Sequence, residues 1–395
     1  MEKLISVLAS PIPFILLISL VITVHELGHY WAGRLFGAAV ESFSVGFGRS
    51  IVEIRDRRGT RWRLNWLPIG GFVKFVGELQ GPQDTREGAG NTEIIGKAFS
   101  QLGPLKRLVI SLGGPIANFV FAIIVFAGLG FSFGLVEAEE VRVSRVASGS
   151  AAELAGFLPG DVIRVAGGRE VHTSTDVMRA TMLSAGEAVD YEISRNGEPF
   201  LLVATPRETE TRNDAFKVVE KIGRIGLEME QVNLHVRKLN PIEAVGYGAT
   251  ATADALGSTL TVLRRLITGR DGLDKMNGPV GIFGLSDNVT DAQMNQEGVG
   301  FGERLLQTGL RLIELAALFS IGVGFFNLLP IPVLDGGAAV MCIAEATTGR
   351  EIPERVQRVG LTIGLACLVS FALVITWNDV TRPGGPLEVL SGMLS

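Results

Sequence analysis

Two histidines and a glutamate stand together near the start of the chain. Residues 21–30 read VITVHELGHY, so His25, Glu26 and His29 form the pattern His-Glu-x-x-His at the end of a long apolar run. On a helix, side chains at positions i and i+4 lie on one face, where both imidazoles can bind a single metal ion. Glu26 lies about 100° around the helix from His25, where it can accept a proton from a metal-bound water. The pattern predicts a zinc site in which Glu26 is the general base.

The apolar surroundings of this motif favour a functional interpretation. Ionisable side chains within a membrane helix are costly and usually mark function. The alternative is a structural pair of histidines that form hydrogen bonds to neighbouring helices.

A third metal ligand is needed, because catalytic zinc sites normally have three protein ligands and an open position for water. The remaining histidines, His172 and His235, fall in a region predicted to lie on the other side of the membrane. Asp335 follows a run without any charge from Ala316 to Leu334, and an uncompensated carboxylate at that depth would become neutral, whereas beside zinc it stays ionised. Asp335 is therefore the predicted third ligand.

Two alternatives for the third ligand remain open. Asp335 could instead be the N-cap of a following helix. A glutamate on a later membrane helix, Glu314 or Glu345, could then complete a site that acts on soluble or lipid-modified peptides.

The segment NLLPIPVLDGG, residues 327–337, contains candidate substrate-binding residues. Pro330 and Pro332 lack a backbone N–H and interrupt regular helix. Extended backbone at membrane depth is tolerated only where it is buried in protein or lines a wet cavity. We therefore expect this backbone, together with the Asn327 amide, to bind an unwound peptide; a hydrogen bond between helices is the alternative role for Asn327.

Four apolar segments are long enough to span a membrane. The chain has 395 residues, of which 47% are hydrophobic and 19% are charged, which is ordinary for a protein with several membrane helices. A signal peptide is the alternative for the first segment, but its length and the absence of a cleavage site argue against that. The predicted spans are Leu4 to Val24 with helical character to Phe36, Leu108 to Phe133, Leu312 to Leu329, and Val359 to Trp377.

Basic residues predict the orientation of these spans. Arginines and lysines are abundant between the first and second spans and recur between the third and fourth. By the positive-inside rule both connections are cytoplasmic, so the region between the second and third spans lies outside the cytoplasm.

The segments between the spans have distinct patterns. Residues 38–78 alternate apolar and polar residues around Arg58-Gly59, which indicates β-hairpins at the membrane edge, and a small solvated sheet is the alternative. The stretch SGSAAELAGFLPGDVIRVAGGREV resembles a circularly permuted PDZ domain, a fold that binds extended peptides on a sheet edge; an inert β-rich spacer is the alternative. The predicted organisation is 1–37, first transmembrane helix; 38–107, β-hairpin region and loop; 108–135, second transmembrane helix; 136–230, PDZ-like domain; 231–303, amphipathic linker region; 304–350, third transmembrane helix and LDG motif; 351–395, fourth transmembrane helix and tail.

Several motifs occur in the order found in one family. HELGH, GGPIAN at Gly113–Asn118, the PDZ-like insert, NGPVGI and NLLPIPVLDGG together resemble the bacterial site-2 proteases across nearly the whole chain. The chain departs from members with two tandem PDZ domains, since residues 136–230 suffice for only one.

The resemblance implies a fold and an activity. The fold would be a polytopic α-helical membrane protein of about four transmembrane helices, with a membrane-associated β-hairpin region and an inserted permuted PDZ-like α+β domain. The activity would be zinc-dependent cleavage of single-pass membrane proteins in the bacterial inner membrane, near its cytoplasmic side, after a first cut by another protease. His25, His29 and Asp335 would bind Zn²⁺, Glu26 would be the base, and Asn327 would contact substrate.

Composition argues against other classes. The net charge of −5 is small and spread along the chain, so no nucleic acid partner is expected. Cys342 and Cys367, the only cysteines, have no CxxC spacing and indicate neither a disulfide framework nor a thiolate zinc site. A non-catalytic membrane scaffold that presents the PDZ-like domain is a further alternative, against which the intact His-Glu-x-x-His pattern argues.

Overall fold

Long apolar helices and three separate β-sheets, one of them the two-stranded pair β8 and β9, make up the structure, a computed structural model that describes residues 11–78, 94–182, 184–213, 218–269, 298 and 300–381. The helices are α1 (Pro11–Leu35), α2 (Pro104–Phe133), α3 (Ala151–Ala155), α4 (Ser174–Met182), α5 (Pro241–Ile267), α6 (Phe301–Asn327), α7 (Asp335–Thr348) and α8 (Glu354–Thr381). The strands are β1 (Val40–Arg55), β2 (Arg61–Phe75), β3 (Leu135–Val146), β4 (Val162–Ala166), β5 (Arg169–Glu170), β6 (Val189–Arg195), β7 (Glu198–Ala204), β8 (Arg207–Asn213), β9 (Val218–Arg224) and β10 (Leu227–Arg237).

Four of the described helices are long and apolar enough to cross a membrane: Ile12–Leu35 of α1, α2, α6 and Glu354–Asn378 of α8. Each coincides with a predicted span, although residues 1–10 lie outside the described part of the chain. The largest difference is in α6, which begins at Phe301 instead of near Leu312. Its first turns contain charged residues such as Glu303 and Arg311, so hydropathy detects only the apolar part of a longer helix.

The chain divides into two compact units. One contains the chain up to Phe126, a short piece of α5, and the chain from α6 to Val380. The other contains Ala127–Tyr247 and the rest of α5.

In the first unit, β1 and β2 bend into a sheet of four segments. Residues 42–45 of β1 pair antiparallel with residues 71–74 of β2. On their other side, residues 42–45 pair in parallel with residues 61–64 of β2. Residues 61–64 in turn pair antiparallel with residues 52–55 of β1. The edge segment of β2, at 71–75, is therefore a direct neighbour of the start of β1.

This edge of the sheet lies along α1. The Ser19 hydroxyl donates a hydrogen bond to the Pro68 carbonyl, and the Phe75 ring fills the space where a Cβ of Gly33 would be. Between sheet, α1 and α2 lies a hydrophobic core that contains Tyr30, Val40, Phe43, Val73, Phe75 and Ile110. The sheet thus extends beside a helix that is apolar enough to span a membrane; its membrane association stays a prediction.

The second unit contains an antiparallel sheet in the order β10-β3-β4-β6-β7, with β5 paired to β4. Helices α3 and α4 pack on its core, which contains Phe157, Ile163 and Tyr191. Ser150 caps α3 by accepting a hydrogen bond from the Glu153 backbone N–H. Strand β10 continues past the predicted boundary at 230 to Arg237, because its second half pairs with the start of β3. That this unit is a PDZ-like domain stays a prediction.

The predicted linker region 231–303 contains the end of β10 and α5. A capping box begins this helix: the Asn240 side chain accepts from the Glu243 N–H, and the Glu243 side chain accepts from the Asn240 N–H. The NGPVGI motif at 277–282 lies outside the described residues.

Candidate metal centre and active site

His25, His29 and Asp335 meet in the first unit. The Nε2 atoms of the two histidines are 3.2 Å apart. Asp335 Oδ2 lies 3.0 Å from His25 Nε2, and Oδ1 lies 3.4 Å from His29 Nε2. Both histidines are buried and Asp335 is half-buried, so residues about 300 positions apart in sequence form one enclosed cluster.

The cluster fits a zinc ion. Zinc bound to nitrogen and oxygen at about 2.0–2.1 Å in tetrahedral geometry places its ligand atoms about 3.3 Å from one another. The two Nε2 atoms lie 3.2 Å apart, close to that spacing. Asp335 approaches them through different oxygens, and one ligand atom from each of the three residues lies within 4.8 Å of the others. Two neutral imidazoles and one carboxylate are also a donor set that zinc prefers, and they leave a fourth position for water.

Helix α7 begins at Asp335 because the preceding segment folds back over it. A Cβ on Gly336 would overlap the carbonyl groups of Leu328 and Leu329, and a Cβ on Gly337 would lie 2.6 Å from the carbonyl carbon of Ile331. Only glycine fits at these two positions, which explains the residue types in LDGG. The first residue of α7 is thereby held towards the histidines.

One face of helix α2 packs against the two histidines. A Cβ on Gly114 would lie 2.7 Å from His25 Nε2 and would overlap His29 Nε2. Gly114 therefore keeps the space beside the two ligand atoms open. One turn earlier, the Ile110 carbonyl accepts a hydrogen bond from His29 Nδ1 at 2.8 Å. Since a carbonyl only accepts, Nδ1 carries the proton and His29 Nε2 presents its lone pair to the cluster.

Asn118, one turn further along α2, is the hydrogen-bond partner of the His25 ring. Its side-chain amide lies 3.2 Å from His25 Nδ1, and it is fully buried. For His25 Nε2 to bind a metal, Nδ1 must carry the proton, and only the Oδ1 atom of Asn118 can accept it. Oδ1 is free to do so after a turn of the amide, because it has no hydrogen-bond partner among the described residues.

Glu26 lies beside the cluster without belonging to it. Its Oε2 accepts a hydrogen bond of 2.9 Å from the Val73 N–H, on the edge segment of β2. This bond fixes the carboxylate between α1 and the sheet. A carboxylate next to a metal site, but not bound to the metal, suits a general base.

A model of peptidase family M50 matches residues 13–371. The chain belongs to peptidase family M50. The resemblance to site-2 proteases is confirmed at the level of this family. As a member of M50, the chain is a membrane zinc metalloprotease, and the prediction of zinc as the cofactor is confirmed.

Curated relatives within the family extend over nearly the whole chain. The metalloprotease MmpA of Caulobacter vibrioides is 35% identical over 384 residues, which cover 94% of this chain and 95% of the relative. A protein of Agrobacterium fabrum named "Putative zinc metalloprotease Atu1380" is 36% identical over 375 residues, with 94% and 95% coverage. A protein of Rhizobium meliloti with the same description, R01501, is 35% identical over 372 residues, with 93% and 95% coverage.

The predicted substrate-binding residues of this M50 protein lie in and after the last turn of α6. Asn327 is its last residue and makes no side-chain hydrogen bond to another described residue. Residues 328–334 are not helical, as the prolines predict, but they form successive turns instead of extended backbone. The Ile331 N–H, for example, bonds to the Leu329 carbonyl at 2.7 Å. Pro330 is exposed, whereas Pro332 is half-buried and would contact a Cβ placed on Gly360 of α8 at 3.5 Å. Substrate binding by these residues stays a prediction.

The alternative metal ligands lie elsewhere in the described structure. Glu314 pairs with Arg311 at 2.9 Å, and Glu345 pairs with Arg107. His172 and His235 belong to the second unit, on or beside β-strands. Asp335 does not act as an N-cap, because it is the first residue of α7 and Leu334 occupies the cap position without a side-chain bond.

Sequence reasoning missed three contributors to the site: the Ile110 carbonyl, Gly114 and the side chain of Asn118. Two of them lie within the quoted GGPIAN motif, whose spacing of Gly114 and Asn118 by four residues was the available signal. The third is a backbone atom, which no residue type marks.

Proposed function

We propose that this M50 zinc metalloprotease cleaves the transmembrane segments of single-pass membrane proteins. The observation that carries the proposal is the position on α1 of His25 and His29, the two histidines of the His-His-Asp cluster. His25 lies ten residues before Leu35, and therefore about 15 Å from that end of a helix long enough to span a membrane. A peptide bond must reach membrane depth to be cut there.

The chemistry follows from the residues around the cluster. His25, His29 and Asp335 would hold zinc, which would supply a water with a lowered pKa, towards about 7. Glu26 would be the base that accepts a proton from water and returns it to the amine of the departing peptide. Its hydrogen bond with Val73 orients the carboxylate, and burial of His25 and His29 excludes bulk water from their ligand atoms.

A helical substrate must be unwound before it can be cut, because helical carbonyl groups are already hydrogen-bonded and sterically shielded. Asn327, with the irregular segment around Pro330 and Pro332, would bind the unwound peptide. The Asn327 amide supports this role, since it makes no hydrogen bond to another described residue and has both donors and an acceptor to offer.

The second unit would contact the part of the substrate outside the cytoplasm. In this proposal it is a PDZ-like domain that binds or excludes substrate ectodomains, and a first cut by another protease shortens the substrate before it enters. Anti-sigma factors and similar signalling proteins are the expected substrate class. The protein would be located in the bacterial inner membrane, with the active site near the cytoplasmic side.

A cleavage assay in detergent or liposomes tests the proposal. The substrates are a single-pass protein truncated just outside its membrane segment and the same protein at full length. We expect the wild type to cut the truncated form faster, and Glu26→Gln to bind zinc yet cut neither. Cleavage retained by Glu26→Gln would remove Glu26 from the mechanism, and cleavage confined to soluble peptides would contradict intramembrane proteolysis.

A further inference from the structure

A buried ion pair connects α2 and α7 away from the metal cluster. The Arg107 guanidinium donates to the Glu345 carboxylate, and their side chains are only 16% and 6% exposed. The other oxygen of Glu345 accepts a hydrogen bond of 3.1 Å from the Ile352 N–H, which precedes α8. The pair thus joins α2, α7 and the α7–α8 connection at one point.

The ion pair lies on the same two helices, α2 and α7, that contribute residues to the metal site. Arg107, Ile110, Gly114 and Asn118 follow one another at intervals of three or four residues, so they lie on one face of α2. The last three of these residues surround the histidines. Glu345 lies ten residues after Asp335, about 15 Å along α7.

We propose that Arg107 and Glu345 are positioning residues that hold α7, and with it Asp335, in register with the histidines. This inference rests on the proposed zinc ligands. The start of α7 is fixed by the close contacts of Gly336 and Gly337, and the ion pair fixes its other end. With both ends fixed, Asp335 cannot move along the helix axis relative to α2.

The charge of the pair matters for this role. Apolar contacts between helices are non-directional, so they define the position along the helix axis less sharply than a paired charge does. A buried ion pair does not tolerate such a shift, because each charge would lose its partner in a poorly solvated place. The Arg107–Glu345 pair therefore selects one register, as buried polar groups do in coiled coils.

The test measures how fast zinc leaves the full-length protein in excess chelator, at a temperature well below unfolding. We expect Glu345→Gln to lose zinc at least about tenfold faster than the wild type, the scale on which residues behind the ligands act. The double variant Arg107→Met with Glu345→Leu has no unpaired charge and should regain most of the melting temperature. It should still lose zinc rapidly, because an apolar pair does not select the register.

A control uses the Arg61–Glu41 pair, which lies in the same unit at 2.6 Å; its arginine is as little exposed as Arg107, and the Glu41 side chain is 25% exposed. Glu41→Gln should leave the rate of zinc loss unchanged. If zinc loss increases equally in Glu41→Gln, or returns to the wild-type rate in the double variant, the pair acts only through stability and the inference is wrong. Unchanged zinc loss in Glu345→Gln also contradicts it.

The same data separate this inference from the proposed function. Wild-type protein that binds zinc through Asp335 but is insensitive to Glu345→Gln contradicts the inference alone. Wild-type protein without zinc contradicts the metal site itself.

Discussion

At the scale of single residues, the two histidines of the cluster are oriented in different ways. His29 donates its Nδ1 proton to a backbone carbonyl, that of Ile110, which fixes its tautomer without any side chain. His25 depends on the amide of Asn118, which can face Nδ1 with either oxygen or nitrogen. Zinc affinity should therefore respond to substitution of Asn118.

The first prediction concerns this amide. Asn118→Ala should weaken zinc binding about 10- to 100-fold, because nothing then holds His25 in the tautomer with a free Nε2. Asn118→Asp should retain binding, since a carboxylate accepts the Nδ1 proton. Competition titration with a calibrated chelator measures both.

Ser320→Ala is the control for Asn118. The Ser320 hydroxyl donates to the Asn118 backbone carbonyl at 3.1 Å, whereas the described polar partners of the His25 ring are Asn118, His29 and Asp335. Equal loss of zinc affinity in Ser320→Ala and Asn118→Ala would show that packing, and not the tautomer, is responsible.

The residues of the metal cluster could be predicted from the sequence because side chains that bind metals are rare in apolar segments. The spacing of His25, Glu26 and His29 and the isolated charge of Asp335 predict a cluster that the structure brings together. Their role as ligands and base stays a prediction until metal binding is measured. Asn118 could not be assigned in advance, because its role depends on which helix packs against α1.

At the scale of elements, close approach of α1 and α2 places the histidines. A Cβ on Gly28 would lie 2.6 Å from the Ala117 Cβ, and one on Gly113 would lie 2.7 Å from the Gly28 carbonyl oxygen. Small residues on facing helices allow backbones to come this close within a membrane. The distance between α1 and α2 in turn determines how near Gly114 and Asn118 come to the histidines.

The second prediction uses two glycines of α2. Gly114→Ala should abolish zinc binding, because its methyl group would occupy the space beside both Nε2 atoms. Gly128→Ala, on the same helix with no atom within 4 Å of the added Cβ, should bind zinc normally. Metal analysis of purified protein compares them, and full zinc in Gly114→Ala would contradict the geometry of the cluster.

The sheet shows what sequence patterns do not determine. Alternation over 38–78 predicts β-hairpins, and the structure has four paired segments there. Residues 42–45, however, pair with 61–64, in parallel, and with 71–74, instead of with 52–55, the segment that follows them first in sequence. Alternation assigns faces to a strand but not its neighbours, so the edge segment that contacts Glu26 was not predictable.

At the scale of the whole molecule, basic residues predict the side of the membrane on which each connection between spans lies. The loop of the first sheet contains Arg55, Arg57 and Arg58, whereas the second unit lies between spans in sequence.

The third prediction tests orientation by cysteine labelling in a background without Cys342 and Cys367. Arg57→Cys and Asn196→Cys place single thiols at exposed positions in the two units. A membrane-impermeant reagent added to spheroplasts should label Asn196→Cys and leave Arg57→Cys unlabelled until the membrane is permeabilised. The reverse pattern would place the second unit in the cytoplasm.

Zinc analysis of purified full-length protein tests the central claim, that His25, His29 and Asp335 bind the catalytic metal. Wild type and Glu26→Gln should contain stoichiometric zinc, because Glu26 is not a ligand. Asp335→Ala should contain little, while Glu314→Ala should match the wild type. Full zinc in Asp335→Ala, or its loss in Glu314→Ala, would contradict this assignment of the metal site.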